Sequence, residues 1–273
     1  MLSGLHVSQG VVYQKNIGIL KEYTDDYFKL IHMRALRQAG FEESSAIKNK
    51  KNSASNTEKL AQSLSRSRAT VFELAICNQW DYFVTLTIDG QKYDRSNLRI
   101  YMKSFSKWLN NYNYQNQSDI RYLLIPENHQ DGSWHMHGLL SAVPLSDLKL
   151  FTLQDHLPYR LRKKISSGRS IYDWPRYRSA FGWSVAEPIM SKEACAKYIT
   201  KYITKSLAES RIALNHHLFY CSQGLNRAKE IYRAEIKRMF NPDYANDYVA
   251  VKRYRSAAEA ALCFCDFEED EAV

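Results

Sequence analysis

Paired cysteines, long apolar runs and a nucleotide-binding loop are all missing from this sequence of 273 residues. Its five cysteines, Cys77, Cys195, Cys221, Cys263 and Cys265, are odd in number and lack Cys-x-x-Cys spacing, which excludes a zinc finger and argues for reduced thiols without a disulfide framework. No stretch approaches the roughly 20 apolar residues of a membrane span. Met1 to Val12 holds no apolar core of signal-peptide length, so a cytoplasmic protein with no membrane partner is the expectation. A Gly-x-x-x-x-Gly-Lys-Ser/Thr loop is absent as well, so no helicase is apparent in the chain, and unwinding would fall to a host enzyme.

What is present points to a polyanion. The formal net charge is +9 and the isoelectric point near 9.2, in a chain whose 45% hydrophobic and 25% charged content is that of an ordinary globular protein. Nineteen tyrosines interleave with the basic residues, and aromatic faces beside cations can stack bases while the cations follow the phosphates.

Along the chain, Thr24 to Gly40 reads as a helix with Phe28, Ile31 and Ala35 on one face, followed by a polar connector to about Ser55. Thr57 to Cys77 reads as a second helix. Tyr82 to Ile88 is almost wholly β-branched, aromatic or apolar, as befits a buried strand, and Asp89-Gly90 ends it. Leu98, Tyr101, Met102, Phe105, Trp108, Leu109 and Tyr112 then hold the clearest helical period in the sequence, with Asp94 or Ser96 as candidate cap. Pro144 to about His156 and Asn226 to Met239 are expected to be helical, and Gly182 to Ile189 extended. Arg160, Arg162, Lys163, Lys164, Arg169, Tyr172, Trp174 and Arg176 form a basic, aromatic segment expected to be a flexible loop that contacts nucleic acid.

The stretch from Glu127 to Leu140 constrains function most. On a strand, residues two apart share a face, so His135 and His137 project together while Met136 turns away. Tyr122 to Ile125 reads as the preceding strand and Asp131-Gly132 as a tight turn, so the hairpin brings Glu127 near the histidine pair. Two imidazoles and one carboxylate leave coordination positions open, which suits a catalytic metal site.

A third group lies downstream. Ser191 can cap a helix carrying Tyr198-Ile199-Thr200-Lys201-Tyr202-Ile203-Thr204-Lys205, where four-residue spacing sets Tyr198 and Tyr202 a turn apart on one face. A phenol with a pKa near 10 needs positive charge or a base nearby to act as a nucleophile, and Lys201, Lys205 or a bound metal can supply the charge. Attack on a DNA phosphate would leave a phosphotyrosine and a free 3′ hydroxyl, a linkage that a later hydroxyl can reverse. A second tyrosine on the same face could take the next cleavage.

Phe83-Val84-Thr85-Leu86-Thr87, then Glu127 with His135-Met136-His137, then Tyr198 and Tyr202 with their lysines, resemble in order the three motifs of rolling-circle replication initiators of the HUH endonuclease superfamily, as encoded by phages and plasmids. The resemblance runs from Tyr82 to Lys205, extending towards Gly224. It implies an α+β fold with a central antiparallel, ferredoxin- or RRM-like sheet and flanking helices, to which the first residues add a helical extension. It further implies Mg²⁺ or Mn²⁺ at Glu127, His135 and His137, nicking and rejoining through a 5′-phosphotyrosine on one or both tyrosines, and a single-stranded or hairpin origin as substrate. A host helicase and polymerase are the expected partners. On this basis residues 1–55 form an extension and linker, 56–240 the endonuclease domain, and 241–273 a C-terminal extension with an acidic tail. Conjugative relaxases usually carry the tyrosine ahead of the histidine motif, so the order here disfavours them. The alternatives are a transposase of the same superfamily, a non-catalytic nucleic-acid binder on a ferredoxin-like sheet, and a water-using metal phosphodiesterase. The last two need no tyrosine.

Overall fold

The computed structural model describes residues 7–8, 11–14, 16–33, 36–37, 57–129, 131–209, 217–246 and 249–265. The chain divides into two compact units, residues 52–226 and residues 1–51 together with 227–273. Both are built on antiparallel sheets, and helices accompany them, so the protein is α+β. Among the described residues no helix is long and apolar enough to cross a membrane.

The unit of residues 52–226 holds a seven-stranded sheet in the order Tyr220–Cys221, Arg121–Asn128, Trp134–Ser141, Tyr82–Thr87, Ser184–Pro188, Tyr172–Asp173, Lys149–Leu150. Every neighbouring pair is antiparallel. Period-two alternation sends Val84, Leu86, Tyr122, Leu124, Trp134, Met136, Leu140 and Ala186 into one apolar layer. The Leu98–Asn116 helix closes that layer with Leu98, Tyr101, Met102, Phe105, Leu109 and Tyr112, the expected stripe. Its cap is Asn97, whose side chain accepts from the Ile100 amide, rather than Asp94 or Ser96. Those two instead bond each other in the turn before it.

The Thr57–Cys77 and Lys192–Glu209 helices are as expected; they pack on each other, and both contact the Arg121–Asn128 strand. Gly138 lies where strands crowd. A Cβ there would meet the Leu123 carbonyl oxygen at 2.3 Å and Leu124 Cδ2 at 2.5 Å, so the position admits no side chain.

Three expected helices are not found. Tyr27–Met33, within the first, is a strand paired with Ile17–Thr24, because Phe28 and Leu30 alternate into a small core with Leu20 and Tyr254. The expected helix at Pro144 to His156 is a single 3-10 turn, Leu145–Asp147, followed by the short strand Lys149–Leu150. Lys229–Glu235, in place of the third, is a charged edge strand on Ile17–Thr24. Its Glu230–Arg233 pair mimics helical i, i+3 spacing, yet sits beside a register shift in the ladder. The sheet formed is five-stranded, ordered Lys229–Glu235, Ile17–Thr24, Tyr27–Met33, Val249–Tyr254, Tyr244–Ala245. The expected polar connector up to Ser55 and the acidic tail from Asp266 lie outside the described residues.

The basic segment is ordered too. It comprises the helix Tyr159–Ser166, the strand Tyr172–Asp173 and the helix Pro175–Ala180, which starts on a proline at its first position.

Candidate active site

The polar face of the seven-stranded sheet is set by register. Thr87, His135 and Glu127 lie side by side across three strands, and Thr85 and His137 lie side by side in the row two residues along. Each threonine hydroxyl meets an imidazole Nδ1 at 3.2 Å, Thr85 on His137 and Thr87 on His135. Both rings are thereby oriented with Nε2 towards Glu127 or its surroundings. His137 Nε2 is 2.5 Å from Glu127 Oε2, and both side chains are buried.

The turn adds a residue that sequence inspection passed over. His129 N donates to the Ser133 carbonyl and Gly132 N to the His129 carbonyl, with Gly132 at φ +79° as the tight turn requires. This folds the His129 ring onto His135, centroids 4.1 Å apart, and brings its Nε2 to 4.0 Å from Glu127 Oε2. His129 is two residues beyond Glu127, and that spacing was its only signal. Partial burial, and then the imidazoles of His129 and His137 and the Arg95 guanidinium, push the His135 pKa down to about 4. His135 is therefore neutral at physiological pH, the state in which an imidazole can act as a ligand.

The Lys192–Glu209 helix presents its phenols to this patch. Ala196, Ile199 and Ile203 are buried and anchor it, and the Ser191 hydroxyl accepts from Ala194 N at its start. Tyr202 stacks on His137 with ring centroids 4.1 Å apart and planes at 18°. Phe83, on the neighbouring strand, touches both phenols, its centroid 5.3 Å from Tyr198 and 6.2 Å from Tyr202. The two hydroxyls are 2.9 Å apart. Tyr198 is 47% exposed, whereas Tyr202 is half-buried, and that difference separates an accessible phenol from a sheltered one. Burial raises the Tyr202 pKa well above its usual value, helped by the bond to Tyr198 and by the carboxylates Glu127 and Glu187. Tyr202 thus keeps its proton and donates it towards Tyr198. Lys201 is exposed on the same helix, and the Lys205 side chain lies outside the described residues.

The structure thus brings Glu127, His135, His137, Tyr198 and Tyr202 into one patch. A buried carboxylate ringed by neutral-capable imidazoles suits a hard divalent cation in its donor chemistry. In convergence the set falls short: among the described residues no three His, Cys, Asp or Glu side chains gather as a metal centre. His137 and Glu127 point at each other, and His135 Nε2 faces Arg95.

The basic segment divides. Arg160, Arg162 and Lys163 are exposed on the Tyr159–Ser166 helix. Lys164 Nζ reaches Glu187 at 2.5 Å and Arg169 reaches it at 3.9 Å, and Glu187 lies opposite Phe83 on the polar face. Trp174, expected to contact DNA, is instead 1% exposed in the apolar layer, where it cannot stack on a base. Tyr172 is half-buried and packs edge-on against Tyr82. Arg176 pairs with Asp147 and lies over the Tyr112 ring, against the helix on the other side of the sheet from the histidines. The charge excess belongs to this unit. Residues 52–226 carry 22 Lys and Arg against 14 Asp and Glu, and the remaining residues 16 against 15.

Residues 81–207 match the family model described as replication-associated protein ORF2. The match lies wholly within the unit of residues 52–226, spans every residue of the patch, and supports a replication-initiator family with a role in replication initiation. No curated protein and no solved structure shows significant similarity to the chain.

Proposed function

We propose that this replication-associated chain initiates rolling-circle replication by nicking and rejoining single-stranded origin DNA through a 5′-phosphotyrosine, as an HUH endonuclease does. The observation that carries the proposal is the stacking of Tyr202 on His137 at 4.1 Å, with the exposed Tyr198 hydroxyl 2.9 Å further on. A metal phosphodiesterase using water has no use for two phenols held against its histidines.

Tyr198 is the first nucleophile. Its hydroxyl is the accessible one, and it accepts from Tyr202, whose proton is held firmly. Tyr198 Oη bonds to phosphorus as the bond to the 3′ oxygen breaks. The phenolic proton ends on that 3′ oxygen, so a 3′ hydroxyl and a phosphotyrosine ester result, and the reverse step rejoins the strand. Lys201, together with the exposed cations of the Tyr159–Ser166 helix, holds the DNA phosphates. Phe83 and His137 clamp the Tyr202 ring and so fix the position of the helix face. Glu127, His135 and His137 would hold Mg²⁺ or Mn²⁺. The cation would polarise a non-bridging phosphate oxygen. Strand separation and synthesis would come from a host helicase and polymerase.

Incubating the protein with Mn²⁺ and single-stranded DNA containing the element's origin should give a denaturation-resistant protein–DNA adduct. Replacing both tyrosines by phenylalanine keeps the packing on Phe83 and His137 and should abolish the adduct. An adduct formed undiminished by that double variant sinks the assignment.

A further inference from the structure

Arg95 stands outside the three motifs, in the loop between the Tyr82–Thr87 strand and the Leu98–Asn116 helix. Its backbone carbonyl accepts from Trp134 N at 3.1 Å, which ties that loop to the start of the histidine strand. Its side chain bonds Ser133 Oγ at 3.0 Å and reaches His135 Nε2 at 3.5 Å. Ser133 is held in turn by Asp131. A guanidinium has donors and no acceptor, so at that contact His135 Nε2 must be the acceptor, and Nδ1 then carries the proton towards Thr87 Oγ1. The lone pair that a cation would use is met by an arginine. The Arg95 Nε–H is buried with no hydrogen-bond partner. A buried donor without an acceptor is costly, and the unspent half of a fork suited to a phosphate oxygen lies beside the histidines.

We propose that Arg95 is a DNA-responsive gate on the cation site: without DNA its guanidinium covers His135 Nε2, and a phosphate of single-stranded DNA draws it away, so that DNA and a divalent cation bind with positive coupling. The gate rests on the cation site proposed above. It accounts for the shortfall in convergence, since His135 is turned to Arg95 in the DNA-free protein. Coupling between two sites is reciprocal, so Mn²⁺ must tighten DNA binding by the same factor as DNA tightens Mn²⁺.

The test is Mn²⁺ affinity, read from the electron paramagnetic resonance of free Mn²⁺, with and without oligothymidylate as the DNA probe. In the wild type, oligothymidylate should raise Mn²⁺ affinity by about five-fold or more, the lower end of ordinary coupling between sites. Arg95→Gln should bind Mn²⁺ more tightly by a similar factor without DNA, and lose most of the further gain. Ser133→Ala leaves every donor in place but releases the arginine from its anchor, and should fall between the two. Arg95→Lys keeps the charge without the fork and should recover only part of the coupling. Mn²⁺ binding that depends on His137, yet is unchanged by Arg95→Gln and Ser133→Ala, overturns the gate and leaves the cation site standing. Mn²⁺ binding that survives His137→Ala unaltered removes the cation site, and the gate with it.

Discussion

On the Trp134–Ser141 strand, Trp134, Met136 and Leu140 enter the apolar layer beneath the Leu98–Asn116 helix, whereas His135 and His137 enter the patch shared with Glu127, Thr85, Thr87 and Tyr202. The two faces come from one run of sequence and differ only in parity. Met136 has no exposed surface and no polar atom to satisfy. Its neighbours on either side are positioned by hydroxyls and a carboxylate. One face therefore fixes the strand in place, and the other uses that rigidity to hold three imidazoles around a single carboxylate. Packing and chemistry should then separate under mutation.

The largest effect should come where the faces share one constraint. Gly138→Val drives a side chain into the Leu123 backbone, and the protein should be recovered unfolded or aggregated, as solubility and circular dichroism will show. Met136→Ala should cost about 2–5 kcal/mol in urea unfolding while leaving adduct yield per folded molecule near wild type. His137→Gln should do the reverse: the amide can still donate to Glu127, so stability should change by less than about 1 kcal/mol, but the adduct should be lost. A Met136→Ala variant that unfolds normally and fails to react would erase the distinction between the faces.

The smallest effect is a pH slope. The His135 pKa is lowered to about 4 in the folded chain from an ordinary value of 6.5, so between those values the unfolded chain binds the extra proton and stability rises with pH. Acidification from 6.5 to about 4 should therefore weaken the fold. His135→Asn should show a shallower slope over that window in denaturant titrations, and an identical slope would remove His135 as its source.

Much of the patch was legible in the sequence because it obeys local periods. His135 and His137 follow the strand period and Tyr198 and Tyr202 the helix period, and the Asp131-Gly132 turn joins the carboxylate to the imidazoles. Thr85-Leu86-Thr87 has the same period as His135-Met136-His137, yet only the register reveals that each hydroxyl orients a ring. Arg95 and Glu187 were hidden for the same reason: they arrive from other loops and strands through long-range pairing, which no local pattern records. The failure at Tyr27–Met33 has a different cause. Phe28 and Ile31 fit a helical stripe as well as a strand, and the pairing with Ile17–Thr24 and Val249–Tyr254 decides the matter. Trp174 misled because its basic neighbours suggested a surface, while the ring itself fills the apolar layer.

The central claim is that DNA is stored as an ester on a helix-borne phenol. Tyr198 to Lys201 and Tyr202 to Lys205 have the same sequence, so trypsin would yield indistinguishable fragments, whereas cleavage after Glu193 and Glu209 keeps both tyrosines in one peptide. Fragmentation of that peptide by mass spectrometry, after the adduct is trimmed with nuclease, should place the nucleotide phosphate on Tyr198. A nucleotide attached to neither Tyr198 nor Tyr202, or an adduct with no nucleotide on this peptide, would contradict the account.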